Sequence, residues 1–178
     1  MIGPGLRARL GGAALYLLMA FLLLFYRLLP IAPGSIGWPG PNWLLGLTLA
    51  WVLRRPDQLP GPLIAAVVLV EDLVLMRPPG LWAAVMLLGA EAARKREARW
   101  REQGFMVEWL RVSGLMGVMM LANRVASILF LLPVPPLGMV LMQLIATVAA
   151  YPVTVLFSRV VLGLCRMGPV EADRLGYR

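Results

Sequence analysis

Six apolar runs, separated by short stretches of arginine, proline and glycine, dictate the solvent in which this chain can fold. They cover residues 10–29, 42–53, 62–76, 80–93, 105–132 and 137–164. The first, fifth and sixth are long enough to cross a hydrocarbon core of about 30 Å at about 1.5 Å per helical residue. The second would be only about 18 Å long unless it starts near Ile36 or runs on through Arg54 and Arg55. The fourth is expected to continue as a helix into the charged residues that follow it. Hydrophobic residues make up 60% of the chain, against roughly 45–50% in soluble domains, and the mean hydropathy is +0.79. A soluble core of this size could not hide that much apolar surface. The expected fold is therefore an all-α integral membrane bundle of six transmembrane helices in residues 1–167, with a short tail at 168–178.

The net charge of +8 comes from sixteen arginines and one lysine against nine acids. These basic residues lie in connectors between apolar runs instead of gathering on one solvated face, which argues against nucleic acid as a partner. With both termini cytoplasmic, twelve of them (Arg7, Arg9, Arg54, Arg55, Arg94, Lys95, Arg96, Arg99, Arg101, Arg166, Arg174 and Arg178) fall on the inner side. Only Arg27 and Arg77 fall on the outer side, and the outer connectors 30–41 and 133–136 carry no charge. This asymmetry sets the expected orientation. The first run is too long for a signal-peptide core and ends in Arg27-Leu28-Leu29-Pro30 without a small-residue cleavage site, so it reads as a retained helix. Segment 91–104 is the longest cytoplasmic connector. Its Glu91/Lys95 and Glu97/Arg101 spacings favour helical ion pairs, and Trp100 suits the headgroup boundary. It reads as a solvated helix end held by anionic lipid, with docking of a cytosolic partner as the alternative.

Histidine is absent and Cys165 is the sole cysteine, so an intrachain disulfide, the common zinc sites and His-dependent nucleophilic catalysis are excluded. Cys165 reads as a small residue at a helix end, with palmitoylation as the alternative. No spaced aspartate cluster suggests metal-dependent chemistry, and the chain is expected to be no enzyme and to carry no cofactor. The polar residues inside the runs are the remaining handle. Glu71 and Asp72 stand side by side in an apolar stretch, although a buried aspartate at a helix centre costs roughly 2.5–3.5 kcal/mol on insertion scales. Neither has a basic residue three or four positions away, so an ion partner must come from another helix. Arg124, preceded by Asn123, is the expected partner, with Arg27 and Arg77 on the same side. The cluster reads as an ion pair that fixes helix packing, or else as an outward polar pocket or partner-helix contact. Adjacent helix positions point about 100° apart, so the two acids are expected to differ in role.

In the sixth run Gln143, Thr147, Tyr151, Thr154 and Ser158 form one continuous stripe, and Pro152 frees a backbone carbonyl. Ser113 and Gly117 form a small-residue pair that would permit close helix approach. Met116, Met119 and Met120 read as packing residues.

The stretch Val70-Glu71-Asp72-Leu73-Val74-Leu75-Met76-Arg77-Pro78-Pro79-Gly80-Leu81-Trp82 resembles a hairpin of the bacterial rod shape-determining MreD family, in which a membrane aspartate is followed by apolar residues, a brief turn and Gly-Leu. The proline-rich turn 133–136, the run from Gln143 to Thr147 through Tyr151-Pro152, and Ala122-Asn123-Arg124, which is similar to the alphaproteobacterial branch, extend the resemblance from Leu10 to about Cys165. Where the family often has glycine four residues before the aspartate, this chain has Val68. The resemblance implies a non-enzymatic scaffold of the cell-elongation machinery in the cytoplasmic membrane. It would bind the single-span protein MreC and act, directly or through it, on a SEDS glycosyltransferase and a class B penicillin-binding protein. It also implies the six-helix fold of energy-coupling-factor transporter substrate-binding subunits, and makes Asp72 and Gly80 the shared hairpin residues. A small-molecule-binding transporter subunit is the alternative, with Glu71, Asp72 and Arg124 as its pocket.

Overall fold

The computed structural model describes residues 4–29, 39–101 and 104–160. Cys165, the tail 168–178 and most of connector 30–41 lie outside the described residues, as do the side chains of Glu97, Trp100 and Arg101. Six α-helices follow one another: α1 (Pro4–Leu28), α2 (Trp43–Val52), α3 (Gly61–Val74), α4 (Leu81–Arg101), α5 (Phe105–Leu129) and α6 (Leu137–Val160). A single 3-10 turn, Pro56–Gln58, joins α2 to α3, and there is no strand among the described residues. Three helical stretches, Arg9–Leu28, Phe105–Leu129 and Leu137–Val160, are long and apolar enough to cross a membrane. The helices fall on the six apolar runs, and α4 continues through the charged residues to Arg101, as its sequence predicts.

The second run is resolved in favour of its short reading. α2 has ten residues, begins after its cap residue Asn42 and does not run on through Arg54, while Ile36 lies outside the described residues. Residues Leu44 through Val52 are all buried, so the helix is apolar on every side and lies at the centre, packed by α1, α4 and α6. Asn42 caps its start, accepting the Leu45 N–H at 3.2 Å, while the Asn42 N–H donates to Thr147 Oγ1 of α6 at 3.0 Å. From α1, the Tyr16 hydroxyl sits 2.9 Å from Thr48 Oγ1, and its ring meets Trp51 edge-on at 5.6 Å. The Trp51 indole N–H donates to Gln58 of the 3-10 turn at 3.1 Å.

α3 and α5 end in the same way. The Arg77 N–H reaches Asp72 O and the Met76 N–H reaches Leu73 O; the Leu132 N–H reaches Ser127 O and the Leu131 N–H reaches Ile128 O. These are Schellman caps. Their left-handed position is held by Met76 (φ 53°) and Leu131 (φ 55°) where glycine is usual, and both are 94% exposed. Prolines follow within two residues in each case and stop the helix from resuming.

The polar stripe of α6 turns inward: Thr147, Tyr151, Thr154 and Ser158 are buried. The three hydroxyl side chains of Thr147, Thr154 and Ser158 donate to carbonyls of their own helix. Pro152 has no N–H for the carbonyl of Val148, and that oxygen accepts the Trp109 indole N–H from α5 at 2.9 Å. The expectation about close helix approach changes. The Ser113 hydroxyl bonds Trp109 O in its own helix, and Gly117 faces only the Leu144 side chain, 3.7 Å from where a Cβ would stand. The tight approaches are instead at Gly89 of α4, whose Cβ position lies 2.3 Å from Met119 Sδ of α5, and at Gly12 of α1, whose Cβ position lies 2.2 Å from Gln58 Cδ of the 3-10 turn. Met116, Met119 and Met120 are all buried. Large apolar faces stay uncovered, including Leu18, Phe21 and Phe25 of α1 and Val118, Leu121 and Val125 of α5.

The Trp109–Val148 contact makes a specific demand. Trp109→Phe should cost about 1–3 kcal/mol, because it strands a carbonyl in an apolar setting. In a Pro152→Ala background the loss should shrink, since residue 152 then supplies its own N–H. A double-mutant cycle of unfolding free energies in detergent reads the coupling, and strictly additive losses would refute it.

Candidate functional site

Charge is gathered at both ends of the bundle. At the end where α1 and α3 finish, Glu71 is 2% exposed and accepts from Arg27 Nη1 at 2.6 Å, with Arg77 Nη1 at 4.0 Å. Arg27 belongs to α1, so the partner does come from another helix; it is not Arg124. The Arg124 guanidinium donates to Pro135 O in the α5–α6 connection at 2.6 Å. Arg124 shares the outer half of the bundle with the acids in sequence, but it faces the α5–α6 turn, whereas Glu71 faces α1.

Asp72, fully buried, has a different task. Its Oδ2 accepts the Gly80 N–H at 3.2 Å and the Ala83 N–H at 3.4 Å. Gly80 is the residue before α4, and its carbonyl accepts the Ala84 N–H, so it holds the N-cap position. A glycine there has no side chain to bond the first-turn N–H groups. Asp72 supplies the missing carboxylate from the preceding helix, at the positive end of the α4 dipole. Gly80 itself has φ +90°, a conformation that residues bearing a Cβ seldom adopt, and the turn depends on it. The spacing from Asp72 to Gly80-Leu81 thus measures the reach of a carboxylate across a hairpin.

At the opposite end lies a cluster the sequence did not reveal. Arg54 follows α2 with its side chain fully buried; Nη2 donates to Glu108 Oε1 of α5 at 3.2 Å and Nη1 to Ala50 O at 2.8 Å. The Tyr151 hydroxyl of α6 donates to the same Glu108 oxygen at 3.0 Å. In sequence Arg54 belongs to the basic residues of the inner side, and Glu108 has no assigned role. The available signal was Tyr151: a phenol in the middle of an apolar run requires a partner. Nearby, Arg94 Nη1 pairs with Glu91 at 2.5 Å, replacing the expected Glu91/Lys95 pair, and Arg94 Nη2 donates to Leu59 O.

A cavity of about 230 Å³ lies beside the α3–α4 turn, between that hairpin, α5 and α6. It brings together four sequence-predicted residues, Asp72, Asn123, Arg124 and Gln143, and adds Arg77 and Trp82. Glu71, Tyr151 and Pro152 do not line it. Three lining residues carry a buried polar atom without a hydrogen-bond partner: Asp72 Oδ1, Trp82 Nε1 and Asn123 Oδ1. Each such atom costs about 1–3 kcal/mol when left unpaired. Among the described residues, no three His, Cys, Asp or Glu side chains are placed to hold a metal ion.

No family model, curated protein or solved structure matches the chain.

The two buried acids make contrasting demands on mutation. Asp72→Ala should destabilise by about 0.5–2 kcal/mol through loss of the α4 cap, while Asp72→Asn, which keeps a side-chain acceptor, should recover most of it. Thermal melting in detergent compares them, and equal losses would rule out capping. Removing one partner of the closed pair is more severe: Arg54→Ala or Glu108→Ala should cost about 3–5 kcal/mol. The double replacement Arg54→Met with Glu108→Leu should cost less than either single change, and a double loss equal to the sum of the singles would mean the groups are uncoupled.

Proposed function

We propose that the chain is a six-span scaffold or regulatory subunit of the bacterial cytoplasmic membrane, without catalytic activity, of the rod shape-determining MreD type. Both termini face the cytoplasm. It binds an MreC-like single-span protein and, directly or through that protein, influences a SEDS glycosyltransferase and a class B penicillin-binding protein during peptidoglycan synthesis. The observation that supports this reading is the Asp72 cap on α4. The residues on which the resemblance turns, Asp72 and Gly80-Leu81, are those that join α3 to α4, so the shared pattern has a physical reason. The uncovered apolar faces of α1 and α5 suit lipid and a partner's membrane helix. The polar groups of Glu71, Arg54, Glu108 and Tyr151 hold helices to one another, as a scaffold requires.

A second reading, a small-molecule-binding subunit of a membrane transporter, draws on the cavity lined by Asp72, Asn123 and Arg124. Affinity purification from native membrane, with identification of the bound chains, separates the two. The scaffold reading expects a single-span partner and cell-wall synthesis proteins with the wild type, and several-fold less of them with Asp72→Ala than with Asp72→Asn. Recovery of transport ATPase subunits, or of no partner chain, would overturn it.

A further inference from the structure

The cavity beside the α3–α4 turn is lined by two guanidinium groups, Arg77 and Arg124, whose charge the fold does not cancel. The Arg77 side chain donates no hydrogen bond to a described residue. Glu71 Oε1 stands 4.0 Å from it and already accepts from Arg27 at 2.6 Å, so one carboxylate serves two cations. Arg124 commits Nη1 to Pro135 O, and among the described residues no carboxylate stands within ion-pair distance of it. Asp72 also borders the cavity but is fully buried, with Oδ2 bonded to the Gly80 and Ala83 N–H groups. A ligand there meets positive charge and no carboxylate oxygen that it can reach. The Gln143 side-chain amide lines the same space, half-buried and without a hydrogen bond to a described residue. The surroundings are amphiphilic. Each turn beside the cavity has a large apolar side chain that is 94% exposed: Met76, next to Arg77, and Leu131, next to the lining residue Leu132. Cations and uncovered apolar side chains in one place suit a ligand with an anionic head and hydrocarbon attached. The cavity volume of about 230 Å³ is that of seven or eight waters at roughly 30 Å³ each. It admits a headgroup and leaves acyl chains outside, along Met76 and Leu131.

We propose that this cavity is a binding site for the headgroup of an anionic phospholipid. Arg77 and Arg124 hold the phosphate through charge-assisted hydrogen bonds, and the Gln143 amide donates a further one. A zwitterionic headgroup fits less well, because its ammonium meets two guanidinium groups and no accessible carboxylate. The inference needs the chain to lie in a membrane and is independent of whether it acts as a scaffold or as a transporter subunit.

Native mass spectrometry of the full chain, released from nanodiscs of equal phosphatidylglycerol, phosphatidylethanolamine and phosphatidylcholine content, reads the preference. Phosphatidylglycerol should be retained about ten-fold more than either zwitterionic lipid. Arg77→Gln and Arg124→Gln should each lower that retention about ten-fold. Arg96→Gln, at an exposed position near the other end of α4, should leave it unchanged. Arg124→Gln also loses the bond to Pro135 O. Should it misfold, Arg77→Gln, which gives up no side-chain hydrogen bond within the chain, supplies the mutational test, with thermal melting as the check on its fold. Should both misfold, the wild-type lipid ranking decides. Titration calorimetry with inorganic phosphate in lipid-free detergent tests a soluble source. Saturable phosphate binding without a lipid preference would overturn the lipid assignment. Equal retention of all three lipids with no phosphate binding would leave a water-filled cavity only. Equal losses of phosphatidylglycerol in Arg96→Gln and Arg77→Gln would mean general attraction to charge. Each of these outcomes overturns the proposal.

Discussion

A helix too short for its surroundings governs this structure. α2 has ten residues, about 15 Å at helical rise, and it lies at the centre of the bundle. Both ends are buried, so its unpaired N–H and C=O groups have to be satisfied by side chains of its neighbours. Asn42 and Thr147 serve the first end. Arg54 serves the second: its guanidinium bonds Ala50 O and places positive charge at the negative end of the helix dipole. A buried guanidinium then needs its own counter-charge, which Glu108 provides, and Tyr151 binds the same carboxylate oxygen. One short helix thereby ties α5 and α6 to its ends.

The same requirement recurs wherever the backbone ladder is interrupted. The start of α4 has a glycine at its cap position and draws a carboxylate from α3. The gap at Pro152 draws an indole N–H from α5. The ends of α3 and α5 satisfy their carbonyls locally, and two non-glycine residues accept the left-handed conformation to do so. That conformation costs about 1–2 kcal/mol per residue, comparable to leaving one carbonyl unpaired. Intrahelical hydrogen bonding thus accounts for the helices, and its interruptions determine which helices must touch.

Element boundaries were readable because charge, proline and glycine flank each apolar run, and the run itself reports burial. The separate duties of Glu71 and Asp72 followed from the angle between adjacent helix positions. Partnership was not readable. Counting residues from a helix end gives depth in a membrane and says nothing of azimuth, so Arg124 and the acids share one half of the bundle in sequence while pointing at different neighbours. Arg54 was hidden for another reason. A basic residue at the end of an apolar run ordinarily lies in headgroups, and only the knowledge that α2 is central makes it buried. Glu108, four residues into α5, reads as an ordinary first-turn acid until Arg54 is placed beside it.

The two ends of the bundle consequently differ in kind. At the α2 exit, Glu108 accepts from both Arg54 and Tyr151 and the three side chains are buried together. At the α3–α4 turn the carboxylate of Asp72 serves the backbone with one oxygen, and the other is buried without a partner, as are Trp82 Nε1 and Asn123 Oδ1. A neutral asparagine at position 72 would also supply an acceptor, and the carboxylate gains in addition from the positive end of the α4 dipole. Arg124, anchored to Pro135 O by one nitrogen, adds a cation to the same space instead of neutralising the acid directly. Buried polar atoms without a partner occur at both ends, Glu71 Oε2 and Asp72 Oδ1 at one and Arg54 Nε at the other, so each charged cluster serves the interrupted helix ends first and its own remaining atoms second.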